Sequence, residues 1–246
     1  MKGEKKVENL EEVRSRMKST PTLLDLTDSP SLEDTRCSRK AVSGIVSDSR
    51  RVTPGSAFFA LPGIRTDGNL HVEEALKRGA KTIITEDEDL AVPFSVTKVC
   101  VNDARKTLAK FSKRYYGRPD ENLDLVGVTG TNGKTTVTTL TRHLLEEEGR
   151  PVGLIGTVRY HLGDREVPSY RTTPESTDLY SLLKSMLVGG CSEAVMEVSS
   201  HGIHQSRVSG LKLGVCVFLN LTRDHLDYHQ NMETYFNEKR KIFNGI

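Results

Sequence analysis

The chain has 246 residues, of which 36% are hydrophobic and 28% charged, and this balance is typical of a soluble protein with one large or two smaller domains. The formal net charge is +2 and the basic residues are spread along the chain, so the basic block expected of a nucleic-acid-binding protein is missing. No apolar stretch approaches the length of a membrane span, and we therefore expect a cytoplasmic protein without nucleic-acid or membrane partners.

The first half of the sequence predicts a leader followed by a small domain. Residues 1–40 are rich in charge, Ser and Thr, with a weak helical pattern over 10–17, and we expect them to be mobile or loosely packed. Hydrophobic periodicity then predicts three strands and two helices, namely strands over 44–48, 56–61 and 81–85 and helices over 71–78 and 104–116. The breaker Gly117-Arg-Pro119 ends this N-terminal α/β domain, whose expected bounds are 41–119.

The second half alternates strands and helices. The predicted strands cover 124–128, 152–155, 194–198 and 214–219. The predicted helices begin at Thr135, cover 179–187 and begin again at Met232, and the first of them carries Val137, Leu140, Leu144 and Leu145 on one side. Such alternation predicts a parallel sheet. We therefore expect an α/β fold in which the small N-terminal domain precedes a P-loop, parallel-sheet domain at 120–246.

A glycine-rich turn follows the first strand of the second half. Its sequence is Gly130-Thr-Asn-Gly133-Lys-Thr-Thr136, and we call it the glycine loop. Glycines let backbone N–H groups close on an anion, and the following helix adds its positive N-terminal end. Lys134 would reach the outer phosphates of a nucleoside triphosphate, and Thr135 supplies the hydroxyl that such loops offer to Mg²⁺. The common spacing needs glycine where this chain has Val128, so a chance Gly-Lys-Thr in a loop is the alternative to nucleotide binding.

Two further polar segments follow apolar strands, where ligands bind in open parallel sheets. Glu197 lies near the end of the apolar run 194–198 and could hold Mg²⁺ directly or through water, and its alternative role is to cap a helix or pair with a lysine. The segment 217–229 places two histidines and two aspartates beyond another apolar strand, and a solvated turn is its alternative.

Together with the glycine loop, these segments resemble the Mur ligase family over about residues 43–246. The motifs that carry the resemblance are Ser47-Asp-Ser-Arg50, Phe58-Phe-Ala-Leu-Pro-Gly63 with Asp67-Gly68, Gly127 to Thr136, Thr172-Thr-Pro174, Glu197-Val-Ser-Ser-His-Gly202 with Gln205 and Arg207, and Asn220-Leu-Thr-Arg-Asp-His-Leu-Asp-Tyr-His229 with Lys239. The short spacing of the glycine loop is itself the form that this family uses.

The resemblance implies an activity. Members of the family phosphorylate a substrate carboxylate with ATP, let an amino group attack the acyl phosphate, and release ADP and phosphate. For this chain it implies an ATP-dependent amide ligase of peptidoglycan precursor synthesis that adds meso-diaminopimelate to UDP-N-acetylmuramoyl-L-alanyl-D-glutamate. The implied cofactors are ATP and Mg²⁺, and the implied partners are the UDP-N-acetylmuramoyl dipeptide and a diamino acid.

The resemblance also implies site residues. For ATP binding these are Gly130, Thr131, Asn132, Gly133, Lys134, Thr135 and Thr136. For Mg²⁺ they are Thr135, Glu197 and His225, and the implied catalytic residues are Lys134, His225 and Lys239. Lys239 would be carbamylated by CO₂, which converts an ammonium into an anion able to support a second metal ion. For the substrate they are Ser49, Thr66, Thr172, Thr173, Ser199, Gln205 and Arg207.

Several of these residues also have simpler interpretations. Without the family, Lys239 would be taken for an exposed helical lysine. Thr173 before Pro174 fits a helix N-cap with proline at the first helical position. His201 and His204 fit packed loop histidines.

By length and by motif, the sequence is expected to be part of a ligase, because the family's C-terminal domain, which closes over ATP and selects the amino acid, is not recognised in it. We favour meso-diaminopimelate over L-lysine only because it is the commoner substrate in the family. Two other classes stay open. One is a related ligase such as folylpolyglutamate synthase, against which residues 43–116 argue, and the other is a non-catalytic module that binds the UDP sugar and ATP without turnover.

Overall fold

The computed structural model describes residues 20–26, 40–63, 66–147 and 149–246. Two sheets organise these residues, a four-stranded sheet in the first half and a six-stranded sheet in the second. The expected α/β fold class is confirmed. Within the described ranges, no helix is long and apolar enough to cross a membrane.

The four strands of the N-terminal sheet are parallel and lie in chain order. They are β1 (Ile45–Val46), β2 (Ala57–Phe59), β3 (Thr82–Thr85) and β4 (Thr97–Cys100). Every residue of β2 and β3 is buried, as expected for a parallel sheet with both faces covered. Strand β4 is missing from the sequence prediction because only Thr97 and Val99 are buried, which leaves a weak apolar signal.

Three helices accompany this sheet, α1 (Leu23–Leu26), α2 (Val72–Lys77) and α3 (Ala104–Tyr115). Helix α1 corrects the expectation of a loosely packed leader. Leu23 and Leu26 are fully buried in the same core cluster as Phe59 and Phe111. Residues 20–26 therefore belong to the N-terminal core, whereas the weak helical pattern over 10–17 lies outside the described residues.

The six strands of the second sheet lie in the order β10-β5-β9-β6-β7-β8. They are β5 (Asp124–Thr129), β6 (Val152–Ile155), β7 (Arg159–His161), β8 (Glu166–Pro168), β9 (Glu193–Glu197) and β10 (Val215–Phe218). Strands β10, β5, β9 and β6 are parallel, as predicted, and β7 and β8 add antiparallel pairs at one edge. The β7–β8 hairpin is missing from the prediction because Tyr160 is its only buried residue.

Five helices follow strands of this sheet, α4 (Lys134–Glu146), α5 (Ser176–Val188), α6 (Ser200–His204), α7 (Leu226–His229) and α8 (Met232–Arg240). Helix α4 differs from the prediction in the face that it packs. Leu140 and Leu144 are 57% and 69% exposed, whereas Thr138 is buried and Leu145 packs against the core. Thr138 and Leu145 are seven residues apart and share a helix face, so the packed stripe is narrower than the apolar pattern indicates.

The strand order brings three polar segments to one edge of the sheet. Strand β5 lies between β9 and β10. The carboxyl ends of parallel strands point to the same edge, so the glycine loop after β5, the segment from Glu197 after β9 and the segment 219–229 after β10 meet there.

Helix packing and ion pairs join the two sheets. Helix α3 packs against α5. Lys113 Nζ lies 2.8 Å from the buried carboxylate of Asp120, which also accepts the backbone N–H of Lys212 at 2.9 Å. On another side, Arg51 Nη2 lies 2.9 Å from Asp178 Oδ1 and Arg51 Nη1 lies 3.1 Å from Asp178 Oδ2.

Candidate functional site

The glycine loop has the backbone conformation of an anion cradle. Gly130 and Gly133 have φ angles of 152° and 85°, a region that favours glycine. A side chain at Gly130 would also meet Leu219 Cβ at 3.0 Å. Gly133 is the N-cap of α4, whose first N–H groups have no acceptor within the helix and point toward the loop. The glycine conformations and the helix N-terminus therefore favour anion binding at the loop, although the N–H groups of Thr131 and Asn132 donate to Asn220 in this structure.

Lys134 folds its side chain back over the loop. Its Nζ donates to Gly130 O and to Thr131 O, both at 2.9 Å. Burial lowers the pKa of this ammonium, and the negative charges of Glu197 and Asp224 act against that effect. The cation thus lies where an anion on the loop would be bound.

Glu197 is the buried carboxylate of the site. It ends β9 and is 1% exposed. Its Oε1 accepts from Thr135 Oγ1 at 3.0 Å and from the backbone N–H of Thr157 at 2.8 Å, and its Oε2 accepts from Thr157 Oγ1 at 3.1 Å. Glu197 is therefore not a helix cap, and its interaction with a lysine is the electrostatic one with Lys134.

The oxygens of Glu197 and Thr135 fit Mg²⁺. Mg²⁺ is commonly held by one or two carboxylates together with water and substrate phosphates, without a cage made only of protein groups. Within the described ranges, no group of three or more His, Cys, Asp or Glu is placed to hold a metal ion by itself.

A cleft of about 550 Å³, which we call the cradle cleft, surrounds these groups. Eleven of the predicted site residues line it, namely Thr131, Asn132, Gly133, Lys134, Thr135, Thr172, Thr173, Glu197, Ser199, Arg207 and His225. It is also lined by Thr157, Arg171 and His201, which the sequence analysis did not assign to the site. Thr157 lies just past the apolar strand β6, and a polar residue in that position is the sequence pattern that could have identified it as a site residue.

Thr173 links the substrate motif to β9. Its Oγ1 donates to Glu197 O at 3.0 Å and accepts the backbone N–H of Ser199 at 3.0 Å. Helix α5 begins at Ser176 with Glu175 as its N-cap, so the N-cap alternative for Thr173 is wrong. Ser199 is itself an N-cap, because its Oγ accepts the N–H of Gly202 at 3.1 Å and starts helix α6.

Arg207 is held by three groups on one side of the cradle cleft. Its Nη1 donates to Thr173 O at 2.9 Å and its Nη2 donates to Gln205 Oε1 at 2.6 Å. Its Nε lies 2.9 Å from Glu175 Oε1, an ion pair that lacks hydrogen-bond geometry at Nε. Burial lowers the pKa of Arg207 from its ordinary value. Glu175 also pairs with Arg171, so one carboxylate serves two guanidinium groups.

A second cleft of about 660 Å³ lies beside the first, and we call it the interdomain cleft. Ser49 and Thr66 line it, as do Arg51 and Asp178 from the two sheet regions. Ser49 Oγ donates to Glu74 Oε2 at 2.6 Å, and Thr66 Oγ1 lies 3.1 Å from His71 Nε2. Residues 64 and 65 of the same loop are outside the described residues.

Arg171 lines both clefts, so the two are adjacent and this side chain marks their junction.

His225 lies on the side of the cradle cleft formed by the segment after β10. It is the N-cap of α7 with a φ of 52°, and its side chain is 47% exposed. Its ring lies 4.8 Å from the ring of His201, which belongs to helix α6, as does His204, and not to a loop. His225 thus faces the cleft that holds Glu197.

Lys239 is 1% exposed, so its interpretation as an exposed lysine is wrong. Its Nζ donates to Gly130 O at 2.8 Å and lies 4.7 Å from the centre of the Tyr235 ring. Burial, with the nearby charge of Lys134, lowers the pKa of Lys239 to about 8. Four of the predicted residues, Gly130, Thr136, Gln205 and Lys239, do not line either cleft.

Comparisons with known proteins agree with this geometry. The family model described as "Mur ligase family, catalytic domain" matches residues 41–116, and the model of the Mur ligase middle domain matches residues 128–246. The chain is 45% identical over 202 residues to a UDP-N-acetylmuramoyl-L-alanyl-D-glutamate--2,6-diaminopimelate ligase of Caldanaerobacter subterraneus subsp. tengcongensis, with 82% of this chain and 42% of that protein covered.

Solved structures give a similar result. A structure of a UDP-N-acetylmuramoyl-L-alanyl-D-glutamate--2,6-diaminopimelate ligase matches with a TM-score of 0.78 and 31% identity, over 92% of this chain and 45% of that one. The MurF ligase of Thermotoga maritima in complex with ADP matches with a TM-score of 0.56 and 27% identity, over 80% of this chain and 42% of that one. The chain therefore spans less than half the length of these relatives. On the two family matches and these likenesses, the chain belongs to the Mur ligase family.

Proposed function

We propose that the chain supplies the UDP-sugar-binding and ATP-binding parts of an ATP-dependent amide ligase of peptidoglycan precursor synthesis. The observation that carries this proposal is the hydrogen bond between Thr135 and the buried carboxylate of Glu197, directly beside the glycine loop. The names of relatives at 42–46% identity support it. In this proposal, residues 41–119 hold the UDP sugar and residues 120–246 hold ATP, in the cytoplasm where both nucleotides are available.

ATP would bind with its outer phosphates on the glycine loop, Gly130, Thr131, Asn132, Gly133, Lys134, Thr135 and Thr136. Lys134 Nζ, which now donates to two loop carbonyls, would exchange these for phosphate oxygens. Its charge would stabilise the transferring phosphoryl group. Phosphoryl transfer depends on positioning and charge neutralisation more than on a protein nucleophile.

Thr135 and Glu197 are the residues that we propose for Mg²⁺, and His225 is the residue that we propose for a second Mg²⁺. When bound, Mg²⁺ supplies positive charge that stabilises the phosphate oxygens during transfer. The carboxylate of Glu197 is already fixed in the protein without a metal ion, because Thr157 donates hydrogen bonds to both of its oxygens.

Carbamylation of Lys239 is part of the proposal. The neutral Nζ forms a bond to the carbon of CO₂, one C=O π bond becomes a C–O⁻, and one proton leaves the nitrogen for water. A pKa of about 8 makes the neutral amine more abundant than for an ordinary lysine. The carbamate nitrogen keeps one N–H, which suffices to retain the hydrogen bond to Gly130 O.

The substrate proposed is UDP-N-acetylmuramoyl-L-alanyl-D-glutamate. Ser49 and Thr66 in the interdomain cleft would contact the UDP, and the residues Thr172, Thr173, Ser199, Gln205 and Arg207 would hold the muramoyl peptide. The substrate carboxylate attacks the γ-phosphorus of ATP and ADP leaves. The amino group of the diamino acid then attacks the carbonyl carbon of the acyl phosphate, and phosphate leaves.

The diamino acid that we propose is meso-diaminopimelate, because the relatives' names carry it. An L-lysine-adding ligase is the alternative within the same reaction. A second candidate for the 246 residues taken alone is a module that binds the UDP sugar and ATP without turnover.

Calorimetric titration of the chain with UDP-N-acetylmuramoyl-L-alanyl-D-glutamate tests the proposal, with UDP-glucose as the control ligand. We expect selective binding of the muramoyl dipeptide and, separately, binding of ATP in the presence of Mg²⁺. Release of ADP when both are present would distinguish the catalytic chain from the binding module. Equal affinity for UDP-glucose, with circular dichroism showing a folded chain, would contradict the substrate.

A further inference from the structure

Two segments at the edge of the second sheet are joined through Tyr228. The first of these segments follows β9, includes helix α6 and carries His201, His204, Gln205 and Arg207, and the second follows β10, includes helix α7 and carries His225 and Tyr228. The ring of Tyr228 lies 4.2 Å from the ring of His201 and 5.3 Å from the ring of His204. Tyr228 therefore packs helix α7 against helix α6.

The hydroxyl group of Tyr228 has a more specific role than this packing. It accepts a hydrogen bond from Gln205 Nε2 at 3.1 Å, and its oxygen lies 2.8 Å from His204 Nδ1. The other end of the same amide, Gln205 Oε1, accepts from Arg207 Nη2 at 2.6 Å. The amide is held in this orientation because a flip would place its NH₂ group against the guanidinium, which has donors only.

These contacts form a chain from Tyr228 through Gln205 to Arg207. Arg207 also donates to Thr173 O and faces Glu175, so its guanidinium is held from several directions where it lines the cradle cleft. Without the hydroxyl, the amide of Gln205 loses the partner of its NH₂ group and can rotate. Arg207 would then lose its shortest hydrogen bond for part of the time.

We propose that Tyr228 is a positioning residue, which acts through Gln205 to hold Arg207 ready for an anionic group of the substrate. This inference rests on the proposed function, since Arg207 is assigned there to the muramoyl peptide. It adds a link between two sites, because Tyr228 lies three residues after His225, the residue proposed for the second Mg²⁺. A shift of the segment after β10 would therefore reach Arg207 through this chain.

Substitution Tyr228→Phe removes the hydroxyl and keeps the ring that packs on His201. We expect the affinity for UDP-N-acetylmuramoyl-L-alanyl-D-glutamate to fall about fivefold to tenfold, as for the loss of one uncharged hydrogen bond. ATP affinity should stay within about twofold, because Lys134 Nζ donates to the loop carbonyls Gly130 O and Thr131 O, which are not members of this chain of bonds. A purely structural role would reduce both affinities together.

A double-mutant cycle separates action through Arg207 from a direct contact. If Tyr228 acts through this chain, Tyr228→Phe causes no further loss of affinity in a Gln205→Ala or an Arg207→Ala background. Additive losses in both backgrounds would overturn the inference. The matched control is Tyr115→Phe, which also removes one tyrosine hydrogen bond, to Ser43 O at 2.8 Å, between two residues that line neither cleft.

A readout without ligand keeps the inference testable if the proposed function fails. In nitrogen-15 NMR of the free chain, the guanidinium signal of Arg207 should exchange faster with water in Tyr228→Phe and remain unchanged in Tyr115→Phe. Unchanged exchange in Tyr228→Phe would overturn the inference. Failure of the wild-type chain to bind the muramoyl dipeptide would instead contradict the proposed function, whatever the NMR result.

Discussion

Lys134 is the residue on which the proposed ATP site depends most directly. Its half-buried ammonium donates hydrogen bonds to the loop carbonyls Gly130 O and Thr131 O. When ATP binds, the same N–H groups can donate to phosphate oxygens. We expect Lys134→Ala to weaken ATP binding about 10-fold to 100-fold, the scale of losing a hydrogen bond between charged groups. Calorimetry with ATP and Mg²⁺ measures this loss, and binding of the UDP-muramoyl dipeptide should be unchanged.

Lys110→Ala is the matched control for this prediction, because Lys110 is exposed on α3, away from the glycine loop. Near-normal ATP affinity in Lys134→Ala would remove Lys134 from the proposed mechanism.

Lys239 offers a test that depends on pH. Its pKa is lowered to about 8 by burial and by the charge of Lys134. Only the neutral amine reacts with CO₂, so the neutral fraction, and with it the carbamate, should grow as the pH rises through about 8. Carbon-13 NMR of the chain in labelled bicarbonate should show this signal and its loss at lower pH.

Two variants assign the carbamate signal. Lys239→Arg should abolish it, because an arginine at this position cannot form the carbamate. Lys241→Arg should keep it, because Lys241 is half exposed and paired with Glu238. A signal that persists in Lys239→Arg would show that another amine is modified.

At the scale of single elements, the short helix α1 is the clearest departure from the sequence prediction. Its apolar pattern covers only four residues within a polar stretch, too few for a periodicity argument. Leu26 is nevertheless 1% exposed, and Leu24 on the same helix is 36% exposed. We expect Leu26→Ala to lower the free energy of unfolding by about 2–5 kcal/mol. Leu24→Ala should change it by less than about 1 kcal/mol.

Urea denaturation followed by circular dichroism checks both values for helix α1. Equal effects of the two substitutions would mean that residues 20–26 do not belong to the folded N-terminal core.

Four of the strands that could be predicted from sequence share one property. Strands β2, β3, β5 and β6 each contain a short buried apolar run, as expected where both faces of a parallel sheet are covered, and the glycine loop has the required glycines next to Lys134. Strands β4, β7 and β8 bury only one or two residues each, or none, so their sequences give too weak a signal.

The same limit applies within the site. Lys134 and Glu197 could be located from their places after strands, and the structure brings them into one cleft. The burial of Lys239 could not be inferred from its charged neighbours, because it depends on the packing of helix α8 against the glycine loop and Tyr235. The place of Arg171 between the two clefts depends on contacts between segments far apart in sequence, which no local pattern records.

At the scale of the whole molecule, the interdomain cleft exists only while the two sheet regions keep their relative position. The ion pair between Arg51 and Asp178 crosses this cleft with two hydrogen bonds of ordinary length, 2.9 and 3.1 Å. Asp178 is 17% exposed and Arg51 is 60% exposed, so solvent screens the pair and its contribution to stability should be under about 1 kcal/mol. The pair's effect on the shape of the cleft should be easier to measure, through ligand affinity, than its contribution to stability.

We expect Asp178→Asn to weaken binding of the UDP-muramoyl dipeptide severalfold, because a substrate that spans both regions must then also fix their relative position. ATP affinity should not change, since the glycine loop belongs to one region only. Arg51→Met should have the same effect, and the double variant should lose little more, because both substitutions remove one interaction. Calorimetry with each ligand measures these changes.

Glu166→Gln, which breaks the exposed pair with Arg159 inside one sheet, is the matched control. If Asp178→Asn and Glu166→Gln bind the dipeptide equally well, the pair has no part in holding the cleft, and the contacts of Lys113 and Asp120 are left to do so.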